Sequence, residues 1–381
     1  MKITSDLFDA FLKCPTKCYL RSIGQTRAGN AYAEWVREQN DAYRKEAVQR
    51  LVTLAEGEVA VTQPGAANLK TATWRLAVDL SVETEEMASS LHAVERVPSQ
   101  GRGKPAQFIP VRFTFFNKLT KDDRLLVAFD SFVLSEVLGR EVRVGKVIHG
   151  DDHATLNVKV ASLLGTVRKI AGKIPELLGG GSPPDLILNH HCGECEFRDG
   201  CRQKALEKDD LSLLGGMSAK ERQKLRSKGI FNVTQLSYTF RPRRRPKRLR
   251  GKREKYHHSL KALAIREKKI HIVGSPELKI EGTPVYLDVE GLPDRDFYYL
   301  IGVRIGNGDS AVRHSLWADT VADEGKIWRE LLSILETVEK PVLIHYGSYE
   351  SEFLERMGER YNSPLQVADQ RYYGEAPARP A

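Results

Sequence analysis

The chain has 381 residues, 41% of them hydrophobic, which is enough for two or three globular domains. Its net charge of +9 is concentrated between residues 241 and 255, where ten Lys and Arg residues accompany a single acid. The first residues lack the continuous apolar segment of a secretory signal, and no apolar run reaches the length of a membrane span. We therefore expect a cytoplasmic protein without membrane association.

The first 208 residues predict an α/β domain that begins and ends with cysteines. Residues 32–53 have the spacing of an amphipathic helix, and residues 74–82 and 107–116 have the composition of strands. Residues 121–139 again show helical spacing and end at Gly139, a residue typical of a helix C-terminus. A further strand follows at VRVGKVIHG, so strand, helix and strand occur in succession and indicate an α/β core.

The rest of the chain divides into four segments. Residues 209–240 predict short helices joined by tight turns. Residues 241–279 predict a basic linker, interrupted by prolines, and then a helix over about 254–269. Residues 280–370 predict three strands, a helix, a strand and a helix, and residues 371–381 predict a disordered tail.

The cysteines predict a metal site. They fall into two groups, Cys14 and Cys18 near the start and Cys192, Cys195 and Cys201 further on. An odd number of cysteines in a reducing compartment argues against disulfides, and the C-x2-C-x5-C spacing lets one loop present three thiolates to one metal centre. Either early cysteine is able to supply the fourth ligand. Zinc remains an alternative to iron, because His190 and His191 are adjacent.

A Cys-Pro pair followed at a distance by C-x2-C-x5-C, enclosing an α/β core over residues 5–205, resembles the iron–sulfur RecB-like nucleases. The resemblance implies a PD-(D/E)XK restriction-endonuclease-like α/β domain. It also implies a 4Fe–4S cluster that ties the start of the domain to its end without taking part in catalysis. The ligands that it implies are Cys14, Cys192, Cys195 and Cys201.

The same family places its catalytic residues on two strands, which match HAVER (92–96) and PVRFT (110–114) here. The catalytic Asp then falls on His92, the Glu on Arg112 and the Lys on Thr114, and only Glu95 keeps an acid. An arginine repels the cation that a glutamate holds. We expect this domain to bind nucleic acid rather than cleave it.

Two segments predict nucleic-acid contact. The stretch LLGGMSAKERQKLRSKGIFNVTQL resembles a degenerate helix-hairpin-helix module with turns at Gly215-Gly216 and Gly229-Ile230, although a plain helical linker fits the pattern equally well. The basic stretch is too dense in charge for an ordinary solvated face, so it favours a polyanion, with DNA preferred over RNA. Its candidate contacts are Arg241, Arg243, Arg244, Arg245, Lys247, Arg248, Arg250, Lys252 and Arg253.

The segment PVYLDVEG predicts a second metal site. On a strand, Asp288 and Glu290 point to the same side, and two adjacent carboxylates repel each other unless divalent cations lie between them. A polar strand edge in solvent is the alternative. A D-x-E strand, two antiparallel strands, a helix and then PVLIHYGSYESEFL resemble the RNase H-like fold of DEDD exonucleases of the YprB type. The resemblance implies Mg or Mn bound by Asp288 and Glu290, with Glu350 as a further acid.

That family ends with further helices and a final metal-binding Asp. Asp369 is the nearest acid of that type here, and it comes earlier than the resemblance implies. We therefore expect an incomplete RNase H-like domain, which either a protein partner completes or which has impaired activity.

The order of parts resembles a fused RecB-like and YprB-like nuclease, a multidomain α/β protein. The leading hypothesis is metal-dependent hydrolysis of DNA or RNA at the RNase H-like domain, most simply as an exonuclease. The alternatives are a catalytically inactive nucleic-acid-binding protein and a zinc-stapled structural adaptor.

Overall fold

The computed structural model describes residues 2–26, 29–55, 59–61, 69, 71–99, 101, 105–241, 258–271, 280–363 and 368–372. The chain divides into two compact units, residues 1–271 and residues 272–380. Both units combine helices with mixed sheets, so the predicted multidomain α/β class is confirmed at that level.

The first unit is built on a mixed sheet. Its strands in the described residues are β1 (Ile3–Thr4), β2 (Val59–Val61), β3 (Leu76–Glu83), β4 (Met87–Val97), β5 (Gln107–Thr114), β6 (Val144–His149) and β7 (Ala154–Lys159). They lie in the order β2-β3-β4-β5-β6-β7, and β1 pairs with β4. β3, β4 and β5 form an antiparallel meander, after which the chain returns through a helix to β6, parallel to β5.

Helices cover both faces of this sheet. They are α1 (Ser5–Lys13), α2 (Pro15–Ser22), α3 (Ala31–Leu54), α4 (Lys121–Leu138) and α5 (Leu164–Gly179), and α6 (Arg198–Glu207) follows the cysteine-rich segment. One face packs against α1, α4 and α5 in a core that includes the stacked rings of Phe8 and Phe129. The other face packs against α3, so the helix that we expected to be exposed buries Tyr43 and Ala47.

The boundaries of α4 follow from its sequence. Thr120 accepts a hydrogen bond from the backbone N–H of Asp123, whose side chain caps the N-terminus in return. Gly139 takes the left-handed conformation (φ +65°) at which glycine ends a helix. The predicted end of this helix is therefore confirmed. Apolar residues line most of its buried face, but Asp130 is completely buried among them.

A helical module completes the first unit. It consists of α7 (Ala219–Arg226), α8 (Val233–Ser237) and α9 (His258–Glu267). Gly216 and Gly229, at the predicted turns, both have left-handed backbones, with φ of +84° and +77°. The helix predicted after the basic stretch is confirmed as α9, and Ala262 of α9 is buried in the small core of this module.

The second unit is a five-stranded sheet in the described residues. Its elements are β8 (Thr283–Leu292), β9 (Phe297–Ile305), β10 (Val312–Trp317), α10 (Glu324–Glu336), β11 (Pro341–Tyr346), α11 (Tyr349–Arg360) and β12 (Ala368–Tyr372). The strand order is β10-β9-β8-β11-β12. β8 is antiparallel to β9 and parallel to β11, and β12 is parallel to β11.

Both helices of the second unit pack on the same face of its sheet. Val285, Leu287 and Val289 of β8 face a core that includes Trp328 of α10 and Phe353 of α11. The predicted elements over 280–360 are confirmed, but β12 was not predicted. Because β12 continues through Tyr372, the predicted start of the tail at residue 371 is two residues too early; residues 373–381 lie outside the described part.

Candidate functional site

The four cysteines that the resemblance selects line one cavity. It is bounded by Cys14, Cys192, Cys195 and Cys201, together with Lys17, Asn189, His191 and Arg198 among its polar residues. Cys18 lies elsewhere, fully buried in the core of the first unit. Cys14 stands at the junction of α1 and α2, where its extended backbone turns the thiol out of both helices. The structure thus separates the two early cysteines that the sequence left equivalent.

Hydrogen bonds fix the cysteine loop, residues 189–201, against the start of the chain. Asn189 donates from its side chain to the carbonyl of Lys13 (3.2 Å), the residue before Cys14. Asn30 donates to the carbonyls of Gly193 (2.9 Å) and Cys195 (3.2 Å), while its Oδ1 caps α3. These contacts hold distant parts of the sequence together through protein atoms alone.

Ion pairs reinforce the same junction. Glu196 is paired with Lys17 (3.0 Å) and with Arg21 (2.8 Å), both on α2. Although burial opposes ionisation, these two cations and a backbone hydrogen bond lower the pKa of Glu196 to about 2. The carboxylate is therefore charged at neutral pH and holds α2 against the cysteine loop.

The thiols fit a thiolate-bound metal centre in their hydrogen bonding. The Asn189 N–H donates to Cys192 Sγ (3.2 Å), and the Phe197 N–H donates to the sulfur of Cys195. Burial and the neighbouring cysteines raise the pKa of Cys201 to about 11. A bound cation offsets that penalty because it stabilises the thiolate form. His191 also lines the cavity, so the zinc alternative retains a nitrogen donor.

The nuclease-like positions of the first domain are occupied by an internal ion pair. Arg112 on β5 donates to both carboxylate oxygens of Asp130, one of them at 2.9 Å, and the pair lies beneath the surface. Ser89 (2.6 Å) and Ser5 (3.2 Å) donate to the same carboxylate. The acid that faces Arg112 was not predicted, because Asp130 lies on a helix and no sequence motif links it to the β5 strand.

The other positions of this motif are also engaged. His92 Nδ1 accepts the backbone N–H of Phe113 (3.2 Å), and burial together with Arg112 and Arg44 lowers the pKa of His92 well below its usual value. Glu95 forms an ion pair with Lys146 of β6. Thr114 ends β5 in register with His149.

In the second unit, Asp288 and Glu290 on β8 lie near enough to Glu350 for their charges to act on it. Asp288 is exposed and Glu290 is partly buried, whereas Glu350, in the first turn of α11, is buried. Burial raises the pKa of Glu350, and the charges of Asp288 and Glu290 raise it further. We call these three residues the acid cluster.

His345 and two tyrosines surround Glu350 and Glu290. His345 Nδ1 lies 3.6 Å from Glu350 Oε2, and its Nε2 lies 3.2 Å from the hydroxyl of Ser351. Burial, Tyr298 and Glu290 raise the pKa of Tyr349 to about 12. None of these residues was predicted, although His345 and Tyr349 belong to the motif HYGSYE that located Glu350.

Gly291 permits this crowded arrangement. A Cβ at this position would lie 2.7 Å from the carbonyl oxygen of Phe297 and 2.7 Å from the Tyr349 hydroxyl. Because one of these atoms is backbone, a side chain cannot be accommodated without moving β9. The glycine that follows the D-x-E motif is therefore a steric requirement of the site.

Neither the cysteine cavity nor the acid cluster has its side chains arranged around a common metal position. Over the described ranges, no group of three or more His, Cys, Asp and Glu side chains stands in an arrangement that could hold a metal ion. The cysteines share a cavity, and the acids interact through their charges. Of the basic stretch, only Arg241 is described: it is exposed, and it donates to the carbonyls of Tyr238 and Phe240. The remaining predicted contacts, residues 243–253, lie outside the described part.

Comparisons with known proteins give little guidance. No protein-family model matches the chain, and no curated protein matches it. Among solved structures, the crystal structure of SSO0001 is similar over 53% of this chain and 86% of its own, with 11% identity and a TM-score of 0.29. A score this low carries no argument about fold or function. In the part of the chain that the structure describes, no helix is long and apolar enough to cross a membrane.

Proposed function

We propose that this protein is a metal-dependent nuclease whose acid cluster hydrolyses phosphodiesters, with an RNase H-like second unit. The observation that carries the proposal is that Asp288 and Glu290 of the central strand β8 lie near enough to the buried Glu350 of α11 for their charges to act on it. Three carboxylates at one place repel each other, and Mg or Mn offsets that repulsion. When bound, such an ion activates water for attack on phosphorus.

The topology supports the same proposal. The D-x-E strand is central, each of the next two strands is antiparallel to the one before it, and a helix leads to the parallel strand that precedes Glu350. This is the order of elements on which the RNase H-like resemblance rests. β12 extends the sheet beyond β11, with Asp369 in register with Leu343.

The first unit has a supporting role in this proposal, as a PD-(D/E)XK-like domain that binds nucleic acid without cutting it. The meander, the crossover helix α4 and the parallel strand β6 agree with such a core. Because the Asp130 carboxylate is paired with the Arg112 guanidinium, it is not free to bind a metal ion. The basic stretch of residues 241–255 supplies the electrostatic attraction for the polyanion.

The cysteine loop is proposed to hold a 4Fe–4S cluster through Cys14, Cys192, Cys195 and Cys201. Its chemistry there is structural: thiolate–iron bonds would join the α1–α2 junction to the loop. Anaerobic purification with iron and zinc assays tests this assignment. Iron that is lost in Cys192→Ala and kept in Cys18→Ala supports it, whereas stoichiometric zinc in both the wild type and Cys18→Ala favours the zinc-stapled adaptor.

The test of the nuclease is cleavage of end-labelled DNA and RNA strands by the full chain in Mg²⁺, Mn²⁺ or EDTA. We expect metal-dependent cleavage that Asp288→Asn abolishes while binding of the strand persists. Asp319→Asn, which changes an exposed acid of the same unit, is the matched control. Cleavage that survives in Asp288→Asn would contradict the assignment of this site.

A second candidate function is binding without cleavage. The closed Arg112–Asp130 pair favours it, because one nuclease-like centre of the chain has already lost its metal-binding acids. Tight, salt-dependent binding of nucleic acid, with no cleavage by the wild type in either metal, is the result that would select it.

A further inference from the structure

On the face of the second sheet that carries Asp288 and Glu290, neither α10 nor α11, the two α-helices of this unit in the described residues, packs. Val285, Leu287 and Val289 point into the core under α10 and α11, so the alternate residues of β8 point to the other side. We call that other side, over β8, β9 and β10, the open face. It carries Asp288 and Glu290, two of the three acids of the proposed active site.

Two arginines lie directly opposite each other on the open face. Arg304 of β9 is the cross-strand partner of Arg313 of β10, and Arg304 is also opposite Tyr286 of β8. Like charges directly opposite each other on a sheet are destabilising. Arg304 Nη2 donates to the carbonyl of Gly308 (3.2 Å), whereas its Nε is buried and has no hydrogen-bond partner among the described residues. A phosphate at this place would relieve the repulsion and accept hydrogen bonds from both side chains.

An exposed aromatic ring lies at the opposite end of the same face. Trp317 of β10 is opposite Leu300, which is in turn opposite Glu290, so Trp317 and Glu290 point to the same side of the sheet. Its side chain is 60% exposed and stacks on Tyr299 at 6.3 Å between ring centroids. The register shift between Glu290 and Gly291 makes Tyr299 the extra residue of a bulge, next to the acid cluster.

The centre of the open face lacks a side chain at the position opposite Asp288. Gly302 lies opposite Asp288 on β9, so no side chain covers that carboxylate from the neighbouring strand. A Cβ at Gly302 would be 3.5 Å from the nearest atom, the carbonyl oxygen of Asp288, which is an ordinary contact. Packing therefore does not demand this glycine. It leaves room above Asp288 for a bound molecule.

From this arrangement we propose that the open face binds an unpaired nucleic-acid strand. A base stacks on Trp317, the backbone passes over Asp288 and Glu290, and a neighbouring phosphate contacts Arg304 and Arg313. The proposal rests on the proposed function, because it takes the acid cluster as the place of cleavage. It adds a substrate class: Trp317 can stack only on a base that is free of its own duplex neighbours.

The test is binding of a short labelled oligothymidine, compared with a hairpin duplex, by the full chain in EDTA. The basic stretch attracts both polymers through charge, so the ratio of the two affinities is the readout, at a salt concentration that weakens that attraction. We expect Trp317→Ala to weaken binding of the unpaired strand about tenfold and to leave the duplex unaffected. Trp317→Phe should restore most of the loss, and Val321→Ala, an exposed apolar residue of the same unit, should change nothing.

Arg313→Ala gives a second readout that a structural role would not produce. It should weaken binding and reduce the slope of log affinity against log salt by about one, as expected for one lost phosphate contact. The thermal stability of the variant should stay equal or rise, because the repulsion from Arg304 is removed. A fall in stability with unchanged binding would mean that the arginine pair serves the fold, and would overturn the proposal.

Failure of this proposal is distinguishable from failure of the nuclease assignment. An unchanged strand-to-duplex ratio in Trp317→Ala overturns the proposal even when Mg-dependent cleavage is present. So does a dimer that dissociates in Trp317→Ala, since the face would then be a protein interface. If binding of the unpaired strand is selective and depends on Trp317, but no metal supports cleavage, the strand-binding proposal stands and the nuclease assignment is wrong.

Discussion

Asp130 in the first unit and Glu350 in the second are both buried carboxylates, but the charged groups near them have opposite signs. Asp130 receives hydrogen bonds from the guanidinium of Arg112 and from two serines. Glu350 has the neighbouring charges of Asp288 and Glu290, and its pKa is raised. The first unit balances its buried charge within the protein, whereas the second accumulates negative charge that a divalent cation is suited to balance.

The largest expected effect comes from breaking the closed pair of the first unit. Arg112→Ala leaves Asp130 charged and buried, which costs about 3–5 kcal/mol of folding free energy. Hydrogen exchange of the β3–β5 amides in increasing urea measures the free energy of unfolding of this unit. Arg143→Ala is the control, because Arg143 pairs with Glu141 at the surface with 81% of its side chain exposed. A cost no greater than that of the control would mean that the buried pair does not stabilise the fold.

The next effect concerns the acid cluster. At a concentration ~100-fold above its dissociation constant, Mg²⁺ should stabilise the second unit by about 2.7 kcal/mol. Glu350→Gln should lose most of this stabilisation, and Glu352→Gln, an exposed acid on the same helix, should retain it. Without Mg²⁺, Glu350→Gln should be at least as stable as the wild type at neutral pH, because the buried charge is gone. Thermal unfolding without and with Mg²⁺ measures the stability of each variant and its stabilisation by the ion. Equal stabilisation of Glu350→Gln and Glu352→Gln by Mg²⁺ would contradict the role of Glu350.

A smaller effect is expected in the pH dependence of the first unit. The pKa of His92 is lowered well below 6.5, mainly by burial. Below pH 6.5 the unfolded chain therefore binds a proton that the folded chain does not, and stability falls as the pH falls, by at most ~1.4 kcal/mol per pH unit.

His92→Asn keeps a hydrogen-bond acceptor for the Phe113 N–H and removes the titration. The free energy of unfolding of wild type and variant is measured from pH 7 downward. The difference between the two profiles gives the contribution of His92 to the pH dependence. The His314→Asn change in the second unit should leave the profile of the first unit unaltered. Parallel profiles for wild type and His92→Asn would show that burial of His92 does not depress its pKa.

The smallest effect separates the two contacts of Asn30. Asn30→Ala removes the cap of α3 and should cost ~1 kcal/mol. Asn30→Asp keeps the capping oxygen and loses the amide that donates to Gly193 and Cys195. We expect Asn30→Asp to keep the stability of α3 but to release its metal to a chelator faster than the wild type. Equal release rates would show that the clamp on the cysteine loop is unimportant.

Local patterns in the sequence predicted the elements well. The capping residues of α4, the alternation along β8 and the amphipathic spacing of α10 are all short-range signals, and each element lies where the signal put it. The separation of Cys14 from Cys18 came from the resemblance rather than from spacing. The cavity is consistent with that choice, because Cys18 faces the core.

Long-range pairings were beyond the sequence. The residue opposite Arg112 is an acid on a helix, and nothing in the spacing of Arg112 and Asp130 links them. The open face depends on the register of three strands, which places Trp317 of β10 in line with Glu290 of β8 although β9 lies between them. Strand β12 was missed because five residues with mixed polarity, close to an Ala- and Pro-rich tail, have no clear alternation.

The junction between the start of the chain and the cysteine loop sets an order for folding. Asn189 reaches Lys13 across 176 residues, and Arg21 reaches Glu196 across 175. During synthesis, α1 and α2 leave the ribosome long before the cysteine loop does. Until then, these two helices lack the contacts that the loop provides. Contacts this distant also slow folding, because a long loop must close before they form. Assembly of the first unit is therefore a late event in synthesis.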